Sequence, residues 1–326
     1  MSGRINMAVV KLVLDGIRRV APEALDAAGE LATLCDADGA GVPLEPYRAV
    51  LQAVSDHAGD LTLLRAGHAP DTLVDPILFV LLNSETPAQV IEKEARLARF
   101  IHSRHVVRVV AVHPNGVELE HVSTVDDPPR RTEDLAAAGQ HVALFEQIGC
   151  QGLRLQLPGT EAPARWVYRA GGYEAPAAGS CARWVFTWDA LVPTRRPMPG
   201  LDAHLLAGET RPELLESTAT VGAVERIARA DLGRTWTLSD VAARLGQSPR
   251  TLQRALAAEE ARFSDVLDRV RVDAAARLLE TSALSVTEIG YVCGFADTSH
   301  FSRRFKQRRG RSPSAYRSEA DGRGHA

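Results

Sequence analysis

The chain has 326 residues, of which 45% are hydrophobic and 24% are charged, values typical of a soluble globular protein with room for two domains. The formal net charge of −3 excludes a uniformly basic or acidic chain, but the charge is unevenly distributed. Residues 221–326 hold 18 basic and 13 acidic side chains, a net charge of +5, whereas residues 1–220 hold 20 and 28, a net charge of −8. Such a division is expected where one domain binds a polyanion and the other does not.

No segment approaches the roughly 18 apolar residues of a membrane span, and the first apolar run is too short for a secretory signal. The cysteines are far apart and form no Cys-x-x-Cys pair, so neither a disulfide framework nor a zinc site is indicated. They are Cys35, Cys150, Cys181 and Cys293. We therefore expect reduced thiols in a cytoplasmic protein that does not contact a membrane.

The amino-terminal part predicts a mixture of helices and strands. Residues 8–60 contain apolar residues at helical spacing, and Thr86 followed by Pro87 predicts the start of another helix. From about residue 106 the pattern alternates: VVRVVAV and VELEHV, separated by Pro-Asn-Gly, predict a β-hairpin. A further helix and two further strands are predicted at about 132–149, 152–157 and 182–188. We expect an α+β domain with an antiparallel sheet at residues 1–200.

Three groups in this part could carry chemistry, and in each a structural role is favoured. His102 and His105 have i, i+3 spacing, which suits a helix-end pair better than a metal site without a third ligand. Cys150 and Cys181 could be reactive thiols, but apart from Arg183 they lack basic neighbours, so packed cysteines are favoured. An aromatic cluster predicts sheet core, with the wall of a ligand pocket as the alternative. Its members are Trp166, Tyr168, Tyr173, Trp184, Phe186 and Trp188. We expect no catalytic residue, metal ligand or cofactor, and hence no enzyme.

Residues 201–220 predict a linker. Prolines and glycines are dense between 193 and 212, which is typical of an irregular connector, with one short helix near 201–206.

The last hundred residues contain an internal repeat. Thr-Leu-Ser-Asp at 237–240 and Ser-Val-Thr-Glu at 285–288 both fit the capping box that begins a helix. Apolar residues follow at i, i+3, i+4 and i+7 in both copies, and each helix is predicted to end at a glycine, Gly246 or Gly294. The repeat therefore predicts the first helix of two similar helix pairs.

A second helix follows each glycine. Ser248 and Asp297 are the predicted N-caps, and Arg254 and Arg303 are predicted at equivalent outward positions. The predicted inward residues are Leu252 and Leu256 in the first copy, and Phe301 and Phe305 in the second. Two helices joined by a tight glycine-containing turn are the helix-turn-helix pattern. We expect an all-α domain at 221–319 with two helix-turn-helix units, joined by a long helix at about 263–279.

A helical bundle that does not bind nucleic acid is the alternative interpretation. The outward arginines on both second helices and the positive net charge of this region argue against it.

These motifs resemble the AraC/XylS family of bacterial transcription regulators. The resemblance covers residues 221–319 and depends on LSDVAARLGQSPRTLQRAL, RVDAAARLLE and SVTEIGYVCGFADTSHFSRRFKQRRGRSPSAYR. It implies an effector-responsive activator whose two second helices enter the major groove of double-stranded promoter DNA, with RNA polymerase as a further partner. A small-molecule effector and a homodimer are compatible with it. Residues 320–326 are then a flexible tail.

The resemblance also assigns the residues that contact DNA. In the first unit they are Arg250, Thr251, Gln253 and Arg254. In the second they are Thr298, Ser299, Ser302, Arg303, Arg304 and Lys306. Arginine bonds guanine in a bidentate fashion, and glutamine suits adenine. Lys306, Arg308, Arg309 and Arg311 are expected to bind phosphates, which gives affinity without sequence information.

The amino-terminal region is similar to the arabinose-binding-domain-like region of the ornithine-utilisation and virulence-regulator subgroup. The similarity depends on VPLEPYRAVLQAV, LLNSETPAQVIEKEARLARF and ALVPTRRPMPGLDAHLL. It leaves the effector unidentified, and AAGSCARWVFTWDAL departs from the subgroup's usual pattern. The alternative function is a cysteine-based covalent sensor, or a small-molecule-modifying enzyme, fused to a DNA-binding module.

Overall fold

A computed structural model describes most of the chain. The described residues are 3–5, 7–29, 42–68, 76–101, 104–158, 165–194, 220–282 and 284–323. The chain divides into two compact units, Met1–Arg195 and Arg196–Ala326. Nearly all of the predicted linker at 201–220, including the short helix near 201–206, lies outside the described residues.

The described part of the amino-terminal unit has seven helices, of which Asp60–Gly67 and Pro76–Leu82 were not predicted. They are α1 (Met7–Val20), α2 (Pro22–Ala28), α3 (Leu44–Ala58), α4 (Asp60–Gly67), α5 (Pro76–Leu82), α6 (Pro87–Ile101) and α7 (Arg131–Gln147). Helix α6 begins at Pro87, as predicted, and the backbone N–H of Gln89 donates to Thr86 Oγ1 at 3.2 Å. The predicted N-cap is therefore confirmed.

Most of the strands form one antiparallel sheet. Its six strands are β3 (His105–His113), β4 (Gly116–Ser123), β6 (Arg154–Leu157), β7 (Arg165–Arg169), β8 (Gly172–Tyr173) and β9 (Arg183–Thr187). They lie in the order β3-β4-β9-β6-β7-β8. Short pairs join β1 (Arg4–Ile5) to β2 (Val42–Pro43) and β5 (Cys150–Gln151) to β10 (Ala190–Leu191). The expected mixture of helices and antiparallel sheet is present, with an unpredicted hairpin at 165–173.

Glycines allow three helices of this unit to approach closely. A Cβ on Gly16 of α1 would lie 1.9 Å from the carbonyl oxygen of Ala66 in α4, and one on Gly139 of α7 would lie 2.1 Å from that of Leu64. Each helical glycine costs about 1 kcal/mol in propensity relative to alanine. Without side chains at these glycines, the backbones of α1, α4 and α7 can approach one another closely. The burial of apolar side chains around α7 then offsets the cost in helix propensity.

The aromatic cluster belongs to the core of the sheet. Tyr168, Trp184, Phe186 and Trp188 are buried, and the indole Nε1–H of Trp184 donates to the Cys181 carbonyl at 2.7 Å. This confirms the sheet-core interpretation for those four residues.

The carboxy-terminal unit is helical in its described part. Its helices are α8 (Thr220–Ala230), α9 (Leu238–Arg244), α10 (Pro249–Ala258), α11 (Phe263–Thr281), α12 (Val286–Val292), α13 (Thr298–Arg309) and α14 (Pro313–Arg323). The long helix α11 is present as predicted, and α8, α12, α13 and α14 pack against it. Helix α14 continues to residue 323, so residues 320–323 are helical rather than part of a flexible tail.

No helix in the described ranges is both long and apolar enough to cross a membrane.

Candidate nucleic-acid interface

The first helix pair, α9 and α10, is held by the predicted caps. The backbone N–H of Asp240 donates to Thr237 Oγ1 at 3.1 Å, and that of Thr237 donates to Asp240 Oδ2 at 3.0 Å. Helix α9 ends in a Schellman motif, with Gly246 at φ +66° and the N–H of Gln247 bonded to the Ala242 carbonyl at 2.9 Å. Local contacts therefore fix both ends of α9.

Helix α10 begins at the predicted N-cap. Ser248 Oγ accepts the backbone N–H of Thr251 at 3.1 Å, and Pro249 occupies the first helical position. Leu252 and Leu256 are buried, which orients the opposite side of α10 towards solvent.

The second helix pair, α12 and α13, repeats this arrangement. Ser285 and Glu288 form a reciprocal capping box, and Gly294 has φ +80°. The Phe295 N–H then donates to the Gly290 carbonyl at 2.9 Å. Asp297 Oδ1 accepts the backbone N–H of His300 at 2.6 Å, which begins α13. The same four local signals that shape the first pair therefore shape the second.

The two pairs differ in the size of their core residues. Phe301 stands where the first pair has Leu252, and both side chains are fully buried. Gly290 stands where the first pair has Ala242, and a Cβ at 290 would lie 3.0 Å from Phe301 Cδ1. The larger ring is therefore accommodated by the smaller residue on the facing helix.

Helix α10 presents three solvated side chains in one stripe. Arg250, Gln253 and Arg254 have i, i+3, i+4 spacing, and all three are exposed. Within the described residues none of them has a hydrogen bond or an ion pair. They are therefore available to an external partner.

Helix α13 presents a matching stripe. Ser299, Ser302, Arg303 and Lys306 have i, i+3, i+4, i+7 spacing, and all but the partly buried Ser302 are exposed. Arg303 and Lys306 have no ion pair with any described residue. Arg254 and Arg303 thus occupy equivalent outward positions, as the repeat predicts.

Three of the predicted contact residues are already bonded inside the unit. Thr251 Oγ1 lies 2.8 Å from Ser248 Oγ, and Thr298 Oγ1 lies 3.3 Å from the Tyr291 hydroxyl. Arg304 Nε pairs with Asp268 Oδ2 of α11 at 3.2 Å. These side chains therefore position their helices.

The basic run after α13 is also used internally. Arg308 donates to the Asp265 carbonyl at 2.6 Å, and Arg309 pairs with Asp273 at 2.8 Å. Arg311 pairs with Glu319 of α14. These contacts join α13 to α11 and to α14. The positive charge of the run does not by itself indicate them.

Sequence reasoning missed the role of Glu259. Its carboxylate accepts the backbone N–H groups of Thr220 at 2.7 Å and Val221 at 3.1 Å, so it caps α8 from the end of α10. Burial opposes the charge, but these two bonds hold the pKa of Glu259 below its ordinary value. The partners lie 39 and 38 residues apart in sequence, so no local pattern indicates the contact.

The amino-terminal unit contains a buried charge network that the sequence did not reveal. Arg48, whose side chain is 2% exposed, donates to Glu133 Oε2 at 2.9 Å, Asp127 Oδ1 at 3.0 Å and Glu45 Oε1 at 2.9 Å. Asp127 also pairs with Arg104 at 2.6 Å, and hydrogen bonds from the two arginines lower the pKa of Asp127. Burial raises the pKa of Glu133.

Two histidines with shifted pKa values, His105 and His141, lie in the same unit. His105 begins a strand, so its prediction as one of a helical pair was wrong, and His102 lies outside the described residues. Burial lowers the pKa of His105 to about 4, and its Nε2–H donates to the Asp127 carbonyl at 2.8 Å. His141 Nε2 pairs with Glu94 at 2.9 Å, and this pairing raises the pKa of His141 against the effect of burial.

Cys150 and Cys181 are both buried. Burial raises the pKa of Cys150 to about 12 and that of Cys181 to about 11. Arg131 Nη1 lies 2.9 Å from Cys181 Sγ but does not offset the burial. Both thiols are therefore protonated at neutral pH. Across the described part of the chain, no group of three or more His, Cys, Asp or Glu side chains could hold a metal ion.

The carboxy-terminal part of the chain is similar in sequence to known helix-turn-helix proteins. Residues 241–319 match the family described as "Helix-turn-helix domain". The chain is 40% identical over 106 residues to the transcriptional activator NphR of Rhodococcus sp., which covers 32% of each chain. It is 36% identical over 84 residues to the transcriptional regulator SirC of Salmonella typhimurium, covering 26% of this chain and 28% of SirC. The matches thus span about a third of these relatives.

One solved structure is similar over most of the chain. The transcriptional regulator CdpR of Pseudomonas aeruginosa is 19% identical, with 90% of this chain and 97% of CdpR covered at a TM-score of 0.35. Because this TM-score is low, the structural comparison carries no conclusion, and the similarity to helix-turn-helix proteins rests on the sequence matches.

Proposed function

We propose that the chain is a DNA-binding transcription regulator of the AraC type that activates promoters, because residues 241–319 match a helix-turn-helix family and the chain resembles the activator NphR over 106 residues. The observation that carries the proposal is the matched pair of solvated stripes on α10 and α13, with Arg254 and Arg303 in equivalent positions. RNA polymerase is the second partner we propose.

In this proposal the helix pairs are two helix-turn-helix units, and α10 and α13 are their recognition helices in the major groove. Arg254 and Arg303 bond the O6 and N7 atoms of guanine, and Gln253 suits adenine. Ser299 and Ser302 are short, so α13 has fewer side chains that reach base edges than α10.

The remaining contacts are to phosphates. Arg250 and Lys306 are exposed and lack internal ion pairs with described residues, so they are the proposed phosphate ligands. Thr251, Thr298 and Arg304 act by positioning their helices. We therefore expect Lys306→Ala to weaken DNA binding equally on all sequences. The slope of the logarithm of the binding constant against the logarithm of the salt concentration should become shallower by about 1.

The test is DNA binding by the full chain with base-contact variants. A specific duplex is first identified by footprinting the DNA upstream of the neighbouring genes. Arg254→Ala and Arg303→Ala should each cost ~1–3 kcal/mol on that duplex and much less on random DNA. Arg226→Ala, which removes an exposed arginine of α8, is the matched control and should leave binding unchanged. Equal losses on both duplexes would show that the two arginines hold only phosphate.

The domain limits we propose are an effector-binding or dimerisation domain at 1–200, a linker at 201–220 and a DNA-binding domain at 221–319. An effector that binds the DNA-competent conformation more tightly than the other conformation would increase the population of the DNA-competent one. The size of the shift depends on the difference between the two affinities.

A homodimer is proposed through the sheet edge. Among the described strands β3 lies at the edge of its sheet, and its Val109, Val110 and Val112 are 38%, 41% and 62% exposed. An unpaired apolar edge can add a strand from a second copy about a twofold axis. Val112→Lys should shift the chain towards monomer in sedimentation velocity, whereas an unchanged distribution would place any dimer contact elsewhere.

The covalent-sensor alternative receives no support. A reactive cysteine needs a depressed pKa, whereas burial raises the pKa of both Cys150 and Cys181.

A further inference from the structure

A pocket lies inside the amino-terminal unit, between strands β3 and β4 and the helices α1, α3, α6 and α7. Its cavity volume is about 60 Å³, and it is partly open to solvent. Its apolar wall includes Val9, Tyr47, Val107 and Ala137. The aromatic cluster between 166 and 188, which was the predicted alternative for a pocket wall, does not line it. Since one water needs about 10–15 Å³ on this measure, the space holds a few waters or one ligand of roughly five heavy atoms.

One buried histidine in this pocket has an uncommitted acceptor. His121 is 8% exposed, and its Nδ1 lies 2.9 Å from Asp134 Oδ1. When Nδ1 carries the proton and donates to this carboxylate, Nε2 is an acceptor. Within the described residues, no group hydrogen-bonds His121 Nε2.

A second polar group is similarly available. Gln140 lies on α7, is partly buried and lines the same pocket. Its side-chain amide has no hydrogen bond to any described residue. A partly buried amide without a protein partner is satisfied by water or by a ligand.

The pocket and its surroundings are acidic. Glu94 and Glu133 line it, and no described lining residue is a lysine or an arginine. His141 balances Glu94, and Arg48 pairs with Glu133. The two further carboxylates that Arg48 contacts, Glu45 and Asp127, also pair with Arg130 and Arg104. Asp134, directly behind a neutral His121, is then the one carboxylate of this set without its own cation, which favours a positively charged ligand.

We propose that this pocket binds a small organic cation, a primary ammonium carried on a short apolar chain. The ammonium group donates to acceptors such as His121 Nε2 and Gln140 Oε1, and the chain packs against Val9, Val107 and Ala137. The ligand would be the effector of the regulator, so the inference rests on the proposed function. It goes further by naming the site and the chemistry of the ligand.

The experiment uses three probes with the same four-carbon chain, titrated into the full-length protein by calorimetry. The probes are butylammonium chloride, 1-butanol and sodium pentanoate. Butylammonium should bind with a Kd of the order of 1 mM, ordinary for so small a ligand, and the other two should not bind. Binding of the alcohol or the carboxylate as tightly as the ammonium, or no binding of the ammonium, would overturn the proposal.

Two variants locate the binding site. Gln140→Leu keeps the size of the side chain but removes its amide, and should raise the Kd for butylammonium about tenfold. Gln151→Leu, at an exposed position of β5 outside the pocket, is the matched control and should bind normally. Unchanged affinity in Gln140→Leu would refute this site.

DNA binding measured on the same preparations separates the two proposals. If the full chain binds its specific duplex but not butylammonium, only the ligand inference fails. If it binds butylammonium in the pocket but no DNA, the regulator function fails and the pocket assignment stands.

Discussion

Gly290→Ala tests whether the second helix pair is matched to a larger core residue than the first. An added Cβ would lie 3.0 Å from Phe301 Cδ1, 3.3 Å from its Cγ and 3.5 Å from its Cβ. The optimal separation between carbon atoms is about 3.5–4.0 Å, so the ring must move by roughly half an ångström. In the first pair, Ala242 faces the smaller Leu252 and no such conflict arises.

The magnitude follows from two opposing effects. Overpacking a core costs about 1–3 kcal/mol, and replacing a helical glycine by alanine returns about 1 kcal/mol. We therefore expect Gly290→Ala to destabilise the second helix pair by about 1 kcal/mol. Phe301→Leu alone leaves a small void and should cost about as much. The double variant has the alanine and leucine that the first helix pair has at the equivalent positions. Its loss of stability should therefore be about 1 kcal/mol smaller than the sum of the two single losses.

Hydrogen exchange with mass spectrometry on the full chain is the appropriate assay, since it reports peptides from α12 and α13 separately from the rest. Gly290→Ala should lower protection in these peptides and weaken DNA binding without changing any exposed residue. The double variant should recover part of both. Strictly additive losses, or a gain in protection with Gly290→Ala, would refute the packing argument.

Further predictions concern the buried groups of the amino-terminal unit. Iodoacetamide at neutral pH should leave Cys150 and Cys181 unmodified in the folded chain and label both in denaturant, since burial raises their pKa to about 12 and about 11; mass spectrometry checks this. Arg48→Met should destabilise the unit by about 3–5 kcal/mol in thermal unfolding, since Glu133 loses its buried partner, and Glu133→Gln should restore part of the loss. The pKa of His105 is about 4 when folded and 6.5 ordinarily, so unfolding takes up a proton below pH 6.5. His105 therefore stabilises the fold above pH 6.5, and this contribution is lost as the pH falls towards 4. His105→Gln should have a flatter stability profile across that interval.

Local signals explain why the helix pairs could be predicted closely. The caps at Thr237 and Ser285 and the stops at Gly246 and Gly294 each depend on residues within a few positions in the chain. Helical periodicity then separates buried from exposed positions, so the outward placement of Arg254 and its equivalent also followed from the sequence.

Partner choice among charged side chains could not be predicted in the same way. The basic run from Arg308 was expected to bind phosphates, but Arg309 pairs with Asp273, which is 36 residues distant. Likewise, Arg48 donates to Asp127, which is 79 residues away, and no local pattern indicates this contact. The pattern of charges along the sequence shows that an arginine needs solvent or an acidic partner. It does not show which distant acidic residue becomes that partner.

The sequence by itself determined the repeat, the helix boundaries and the two outward stripes of the carboxy-terminal unit, because capping and periodicity act over one or two helical turns. Only the tertiary structure decided which basic residues remain available, and it alone assembled the acidic pocket. The reason is physical: the pocket's polar residues come from α6, β3, β4 and α7, which meet only when the sheet packs against its helices.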